Sequence, residues 1–342
     1  MTDEAERLFA ELREQGVSDA LLEKTAAFRR QFEKKTQPEP SKAAESCTVQ
    51  KQTAGNAVEE PAKQAEALTI TRANRQAYVY YGKKVWEEAL AALLSGENLL
   101  LSGSKATGKN VLAENLACLF GRPRFNISFH INTDASYLIG SDTFAQGAVR
   151  FRLGPVSLAA SCGGFCILDE INMARNEALA VLHAVLDFRR VIDVPGYPSI
   201  EVHPATRFIA TMNYGYAGTR ELNEALASRF VIIQAPELSG ERLSKLLARS
   251  FPKLNKPYVD AFTGLFCDIQ KKCRNGELSS KALDLRGLLD AIRLMQLGLS
   301  PRLAIDMGVT NKTFDSYEQS LLRDIIATRI PERADAASLF QS

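Results

Sequence analysis

No apolar run in this 342-residue sequence approaches the roughly 18 residues that a membrane-spanning helix needs, and the N-terminus has no leader-like pattern. Charge of one sign is also lacking. Lys plus Arg total 42 and Asp plus Glu 40, for a formal net charge of +2. A nucleic-acid-reading module would show a denser basic face. The three histidines, His130, His183 and His203, share no spacing, so they argue against a metal centre of their own. The six cysteines (Cys47, Cys118, Cys162, Cys166, Cys267 and Cys273) are scattered. Cys162 and Cys166 bracket the start of an apolar run, where they pack as small hydrophobes rather than bind metal. No internal repeat is present. These absences lead us to expect a globular protein of a reducing cytoplasm, with no membrane partner and with nucleic acid disfavoured as a partner.

Four stretches differ in pattern. Residues 1–35 carry helical spacing: Ala5, Leu8, Phe9 and Leu12, a stop at Gly16, a cap at Ser18, then Leu21, Leu22, Thr25, Phe28 and Phe32. Such a helical hairpin is too short to be stable alone and is expected to dock on something larger. Residues 36–66, rich in Pro, Gln, Lys, Glu, Ala and Ser, read as a flexible linker. Strands and helices alternate over 67–236, as in an α/β fold with a parallel sheet. Residues 237–342 are helical.

The chemistry starts at "NLLLSGSKATGKNVLAENLACLF" (98–120). Its beginning is a short apolar run fit for a buried strand. Its end has helical spacing, and between them lies Gly103-Ser104-Lys105-Ala106-Thr107-Gly108-Lys109-Asn110. A glycine turn in this context aims backbone N–H groups at an anion, helped by the following helix N-terminus, with Lys109 reaching the terminal phosphates. The alternative is a structural turn with a solvated lysine. A second apolar strand, "GGFCILDEIN" (163–172), ends in Asp169 and Glu170. Asp169 is placed to hold Mg²⁺ and Glu170 to polarise the attacking water. Alternatively, Asp169 or Asn172 simply caps a helix over 173–188. A third strand, "RFIATMN" (207–213), ends in Asn213, in reach of the water or the γ-phosphate if it lies beside the acidic strand. The segment 218–230 reads as helical and ends at Arg229, and Arg286 stands near the start of a helix in 283–295.

The order of these elements resembles an AAA+ ATPase of the MoxR family, in the dynein-related branch with the NorQ and CbbQ activators. The resemblance spans about residues 67–300. It is carried by "LDEINMARNEALAVLHAVLDFRR", "VHPATRFIATMNYGYAGTRELNEALASRF" and "LRGLLDAIRL". It implies a five-stranded parallel sheet between helices, a small all-α lid, ATP and Mg²⁺ as cofactors, and a homo-oligomeric ring, usually a hexamer. It also implies that Gly103 to Val111 cradle the nucleotide, with Lys109 as the Walker A lysine and Asp169 and Glu170 as the Walker B pair. Asn213 is then sensor 1, Arg229 the arginine finger that enters a neighbour's site, and Arg286 sensor 2. Two positions depart from the family. Ala106 stands where glycine is preferred, tolerable if its φ stays negative. Asn110 stands where Thr or Ser holds the metal; its carbonyl is a possible Mg²⁺ ligand on a longer arm.

Residues 131–155 begin with a capped short helix and turn at Gln146-Gly147 between two strand-like runs. Such an insertion can grip a protein in a ring pore through Tyr137, Phe144 or Phe151, although for any one of these aromatics core packing is the favoured reading. Residues 189–204 read as a hairpin turning at Gly196. Three functions fit. The first is a chaperone-like ring ATPase that remodels or activates a protein partner, such as a von Willebrand factor A domain protein, for metal or cofactor insertion or complex maturation. The second is the motor subunit of a metal chelatase. The third is a nucleotide-binding scaffold with weak or no hydrolysis because of Asn110.

Overall fold

A computed structural model describes residues 3–33, 57–58, 78–145, 148–214, 220–331 and 336–341. Two compact units result, residues 1–103 with 108–235, and 104–107 with 236–342.

The first unit is built on five parallel strands: β2 (Leu99–Gly103), β3 (Arg124–Ser128), β6 (Phe165–Asp169), β9 (Arg207–Asn213) and β10 (Val231–Gln234). They lie in the order β10-β2-β9-β6-β3. Leu99, Leu100 and Leu101, then Phe165 to Leu168, then Phe208 to Ala210 are continuous apolar runs because helices cover both faces of these inner strands. The edge strand β3 alternates instead, burying Phe125 and Ile127. After β2 the chain crosses to the far edge at β3, and it later returns past β2 to form β10. Such a reversal opens a crevice at the carboxyl ends of the strands. The turn into helix α4 (Lys109–Phe120) begins there.

The N-terminal hairpin, α1 (Asp3–Glu14) and α2 (Asp19–Glu33), does dock. Leu8, Phe9, Leu12 and Leu22 join one core with Trp86 and Leu90 of helix α3 (Lys83–Leu94) and Leu116 and Phe120 of α4. Phe28 meets Phe120 edge-on at 5.1 Å. Arg29 donates to the Cys118 carbonyl at the end of α4 (3.3 Å) and lies so close to Gly121 that a β-carbon there would be 2.8 Å from its Nε.

The insertion reads largely as expected. Asp134 caps α5 (Ala135–Ile139), accepting from the Tyr137 N–H at 2.7 Å. Strands β4 (Gly140–Ala145) and β5 (Ala148–Leu153) pair antiparallel. The expected turn at Gln146-Gly147 lies outside the described residues. Tyr137 and Phe144 are exposed, the latter at 77%. Phe151 is buried against Tyr197 at 5.0 Å, so it is core and not a surface contact. Strands β7 (Val191–Ile192) and β8 (Ile200–Glu201) form the second hairpin, with Gly196 at φ 80°.

Three expectations need correction. Within the segment read as a linker, β1 (Ala57–Val58) pairs parallel with β5; the rest of 36–66 lies outside the described residues. The helix expected over 173–188 is broken. After Gly154, α6 (Pro155–Cys162) and β6, the chain makes a 3₁₀ turn at Ile171–Met173, then α7 (Asn176–Leu179) and α8 (Leu182–Leu186). The Ala180 and His183 N–H groups donate three residues back, to Glu177 and Ala180, which interrupts the i→i−4 ladder. Among the described residues of 218–230, which begin at 220, only α9 (Glu224–Ala227), capped by Asn223, is helical. The Arg220 N–H is drawn instead to the Asn172 carbonyl at 3.1 Å.

The second unit is helical throughout its named elements: α10 (Gly240–Ser250), α11 (Lys256–Arg274), α12 (Leu285–Gln296), α13 (Pro301–Gly308), α14 (Ser316–Arg329) and α15 (Ala336–Leu339). Leu243, Leu247, Phe262, Phe266, Leu288 and Ile292 are among its buried side chains. Among the described residues no helix is long and apolar enough to cross a membrane. The described cysteines are free, and burial raises the Cys118 and Cys273 thiols to about 11 and pushes Cys166 up as well, so none is a ready nucleophile.

Candidate nucleotide site

The turn after β2 begins at Gly103 and reaches α4 through Gly108, whose φ of 81° is left-handed. No side chain caps α4. Its first-turn N–H groups, on Lys109, Asn110 and Val111, have no intrahelical acceptor and suit a phosphate. At the tip of the turn, Thr107 donates to the Ser104 carbonyl at 3.0 Å, and Ala106 has φ 62°. The condition under which Ala106 is well tolerated, a negative φ, is therefore not met. A β-carbon in this region costs roughly 1 kcal/mol, which explains the family's preference for glycine. Lys109 is 4% exposed, and its Nζ donates to the Gly103 carbonyl at 3.0 Å. Burial lowers its pKa to about 8, while Asp169 and Glu170 pull it back up. A poorly solvated ammonium is well placed to gain from a phosphate.

Adjacent strand ends supply the acids. Because β6 and β9 are neighbours, Asp169 and Glu170 meet Thr211 and Asn213. Thr211 donates to Asp169 Oδ1 at 2.5 Å, and the Glu170 N–H donates to Thr211 Oγ1 at 3.1 Å. Asn213 Nδ2 donates to Glu170 Oε1 at 3.3 Å, and Asn172 Nδ2 holds the Asn213 carbonyl at 2.8 Å. Glu170 sits at φ 55°, a conformation that a non-glycine residue adopts at a cost, fixed here by the Thr211 contact. Neither Asp169 nor Asn172 caps a helix by its side chain. Thr211 was not singled out from the sequence. The available signal was its position two residues before Asn213, which puts both on one face of β9.

Asn110 lies beside the acids. Its Nδ2 donates to Asp169 Oδ2 at 2.7 Å. Among the described residues no group of three His, Cys, Asp or Glu side chains is placed to hold a metal ion. This donor set suits Mg²⁺ held by one carboxylate together with nucleotide phosphates, the usual arrangement for that ion. Asp169 and the Asn110 carbonyl would hold it, provided the amide turns its oxygen from its present direction. A threonine hydroxyl is more compact and can donate to Asp169 while presenting its oxygen to the metal. Asn110→Thr is therefore expected to lower the half-saturating Mg²⁺ by about 3- to 10-fold. Titrating Mg²⁺ against nucleotide affinity and ATP turnover checks this; superimposable curves would show that Asn110 is no handicap.

The two arginines each have contacts within their own unit. The Arg229 Nε donates to the His183 carbonyl at 3.1 Å, another of its nitrogens reaches the Ala225 carbonyl, and Asp187 is 3.9 Å away. Its partners are thus on α8 and α9 rather than among Lys109, Asp169 and Glu170. Arg286 is exposed near the start of α12 in the second unit, where Asp284 caps the helix by accepting its N–H at 3.1 Å.

Residues 98–230 match the family described as AAA domain (dynein-related subfamily). The uncharacterized protein YojN of Bacillus subtilis is 36% identical over 247 residues, 70% of this chain and 81% of that one. Uncharacterized proteins of Staphylococcus haemolyticus and Staphylococcus saprophyticus are 31% and 30% identical over 255 residues, each 73% of this chain and 97% of the relative.

Proposed function

We propose that this chain, which belongs to the AAA+ ATPase family with an AAA domain of the dynein-related subfamily, hydrolyses ATP in a homo-oligomeric ring and uses the cycle to remodel or activate a protein partner. The observation that carries the hydrolytic reading is the placement of Asp169, Glu170 and Asn213 at neighbouring strand ends, with Lys109 buried at the turn. Lys109 and the first turn of α4 bind the phosphates. Glu170, oriented by Asn213 and Thr211, accepts a hydrogen bond from the attacking water and aligns it. Asp169 and Asn110 would hold Mg²⁺, which would supply neutralisation of charge on the phosphate oxygens. Arg229 serves a neighbouring subunit, and Arg286 acts as the second sensor.

The finer reading is a MoxR-type, chaperone-like hexamer whose partner is a von Willebrand factor A domain protein. It is supported by the hairpin of β4 and β5, where exposed Phe144 stands directly opposite exposed Val149. Adding such a partner is expected to raise ATP turnover several-fold in the wild type and to do so far less in Phe144→Ala. Equal stimulation of both would remove the hairpin from partner contact. A second reading, a nucleotide-responsive scaffold with little hydrolysis, is favoured by the Asn110 amide on Asp169. Turnover with saturating Mg²⁺ and partner separates the two.

A further inference from the structure

The segment 78–82, just before α3, has no sheet partner, yet its backbone is held on two sides by side-chain amides. From α4, Asn115 accepts the Tyr80 N–H at 3.0 Å and donates to the Tyr78 carbonyl at 3.0 Å. From the end of α1, Gln15 donates to the Tyr80 carbonyl at 3.2 Å and accepts the Gly82 N–H at 3.2 Å. Trp86 Nε1 adds a donor to the same Tyr80 carbonyl at 3.0 Å. Each amide thus satisfies one N–H and one C=O, as a neighbouring strand would. The consequence falls on the Tyr80 ring, which lies against Gly108. A β-carbon on Gly108 would be 3.2 Å from Tyr80 Cδ2 and 3.4 Å from Cε2. Gly108 is the left-handed residue that opens α4, immediately before Lys109 and Asn110.

We propose that Gln15 is a positioning residue for the nucleotide site, and that the N-terminal hairpin acts as a clamp setting Tyr80 against Gly108. The proposal rests on the nucleotide reading of the turn at 103–111. Two of the hairpin's polar side chains bear on this. Arg29 grips the far end of α4 at Cys118 and Gly121, whereas Gln15 alone of the two reaches the segment that touches the turn. Loss of the Gln15 contacts frees Tyr80 and lowers the fraction of molecules whose turn is ready for phosphate, which weakens apparent affinity by that fraction.

The test is a Mg²⁺-free ADP titration of the full chain, with melting temperatures measured on the same samples. Gln15→Met, which removes both hydrogen bonds at similar volume, is expected to raise the Kd for ADP about 3- to 10-fold. Arg29→Ala, which loosens the same hairpin at the far end of α4, is expected to lower the melting temperature at least as much yet leave the Kd within about twofold. If Gln15→Met does not fold, Gln15→Glu replaces it. That variant keeps the acceptor facing Gly82 but sets a carboxylate against the Tyr80 carbonyl, and it weakens ADP in the same direction. A Gln15 variant with wild-type affinity overturns the proposal. So does a shift shared equally with Arg29→Ala, because the hairpin would then act through stability alone. Failure of the wild type itself to bind ADP is a different result and overturns the nucleotide reading together with the clamp.

Discussion

Glu170→Gln is expected to bind ATP within about twofold of the wild type and to turn it over at least about 100-fold more slowly, since the contribution of a positioned general base is typically 10²–10⁴-fold. The glutamine keeps the size of the side chain and can still meet Asn213, but it has no carboxylate to draw a proton from water. The left-handed backbone at Glu170 and the Thr211 contact are unaffected, because they involve main-chain atoms. Fluorescent-nucleotide binding and steady-state phosphate release on the same preparation check this. Unchanged release would remove Glu170 from the catalytic role.

The second large effect concerns Arg229. An arginine supplied in trans stabilises transition-state charge and is worth 10³–10⁵ in turnover in well-studied cases, so Arg229→Ala alone should be nearly inactive. In its own chain the guanidinium contacts His183, Ala225 and Asp187 rather than Asp169 or Glu170. Mixing Arg229→Ala with Glu170→Gln subunits is expected to restore activity. With random mixing, about one interface in four pairs an intact Glu170 with an intact Arg229 across the boundary. A mixture as inactive as its parents, in rings shown by mass to contain both, would rule out action in trans.

Much of the site was legible because it sits at strand ends. Lys109, Asp169 and Asn213 each follow an apolar run, and a parallel sheet brings such ends to one edge whatever the intervening loops do. What was not legible depends on contacts across the chain. Thr211 looks like one more strand residue until β6 is known to lie beside β9. Ala106 adopts a positive φ because the turn demands it, a demand that the residue type alone does not reveal. The helical spacing over 173–188 is real, but hydrogen bonds to residues three back break the helix. Phe151 and Phe144 look alike in sequence, and only the strand register, which turns one towards Tyr197 and the other outward, distinguishes them. The docking of the hairpin was foreseeable from its insufficient length, whereas its contact with the segment at 78–82 was not.

The most direct measurement is phosphate release from ATP by the purified full chain, in excess Mg²⁺ and in chelator, with the protein partner present. An ATPase site built from Lys109, Asp169 and Glu170 gives steady release that saturates with ATP and falls to background in chelator. Tight nucleotide binding with no Mg²⁺-dependent release at any partner concentration would contradict it and leave a scaffold whose Asn110–Asp169 contact holds the metal position closed.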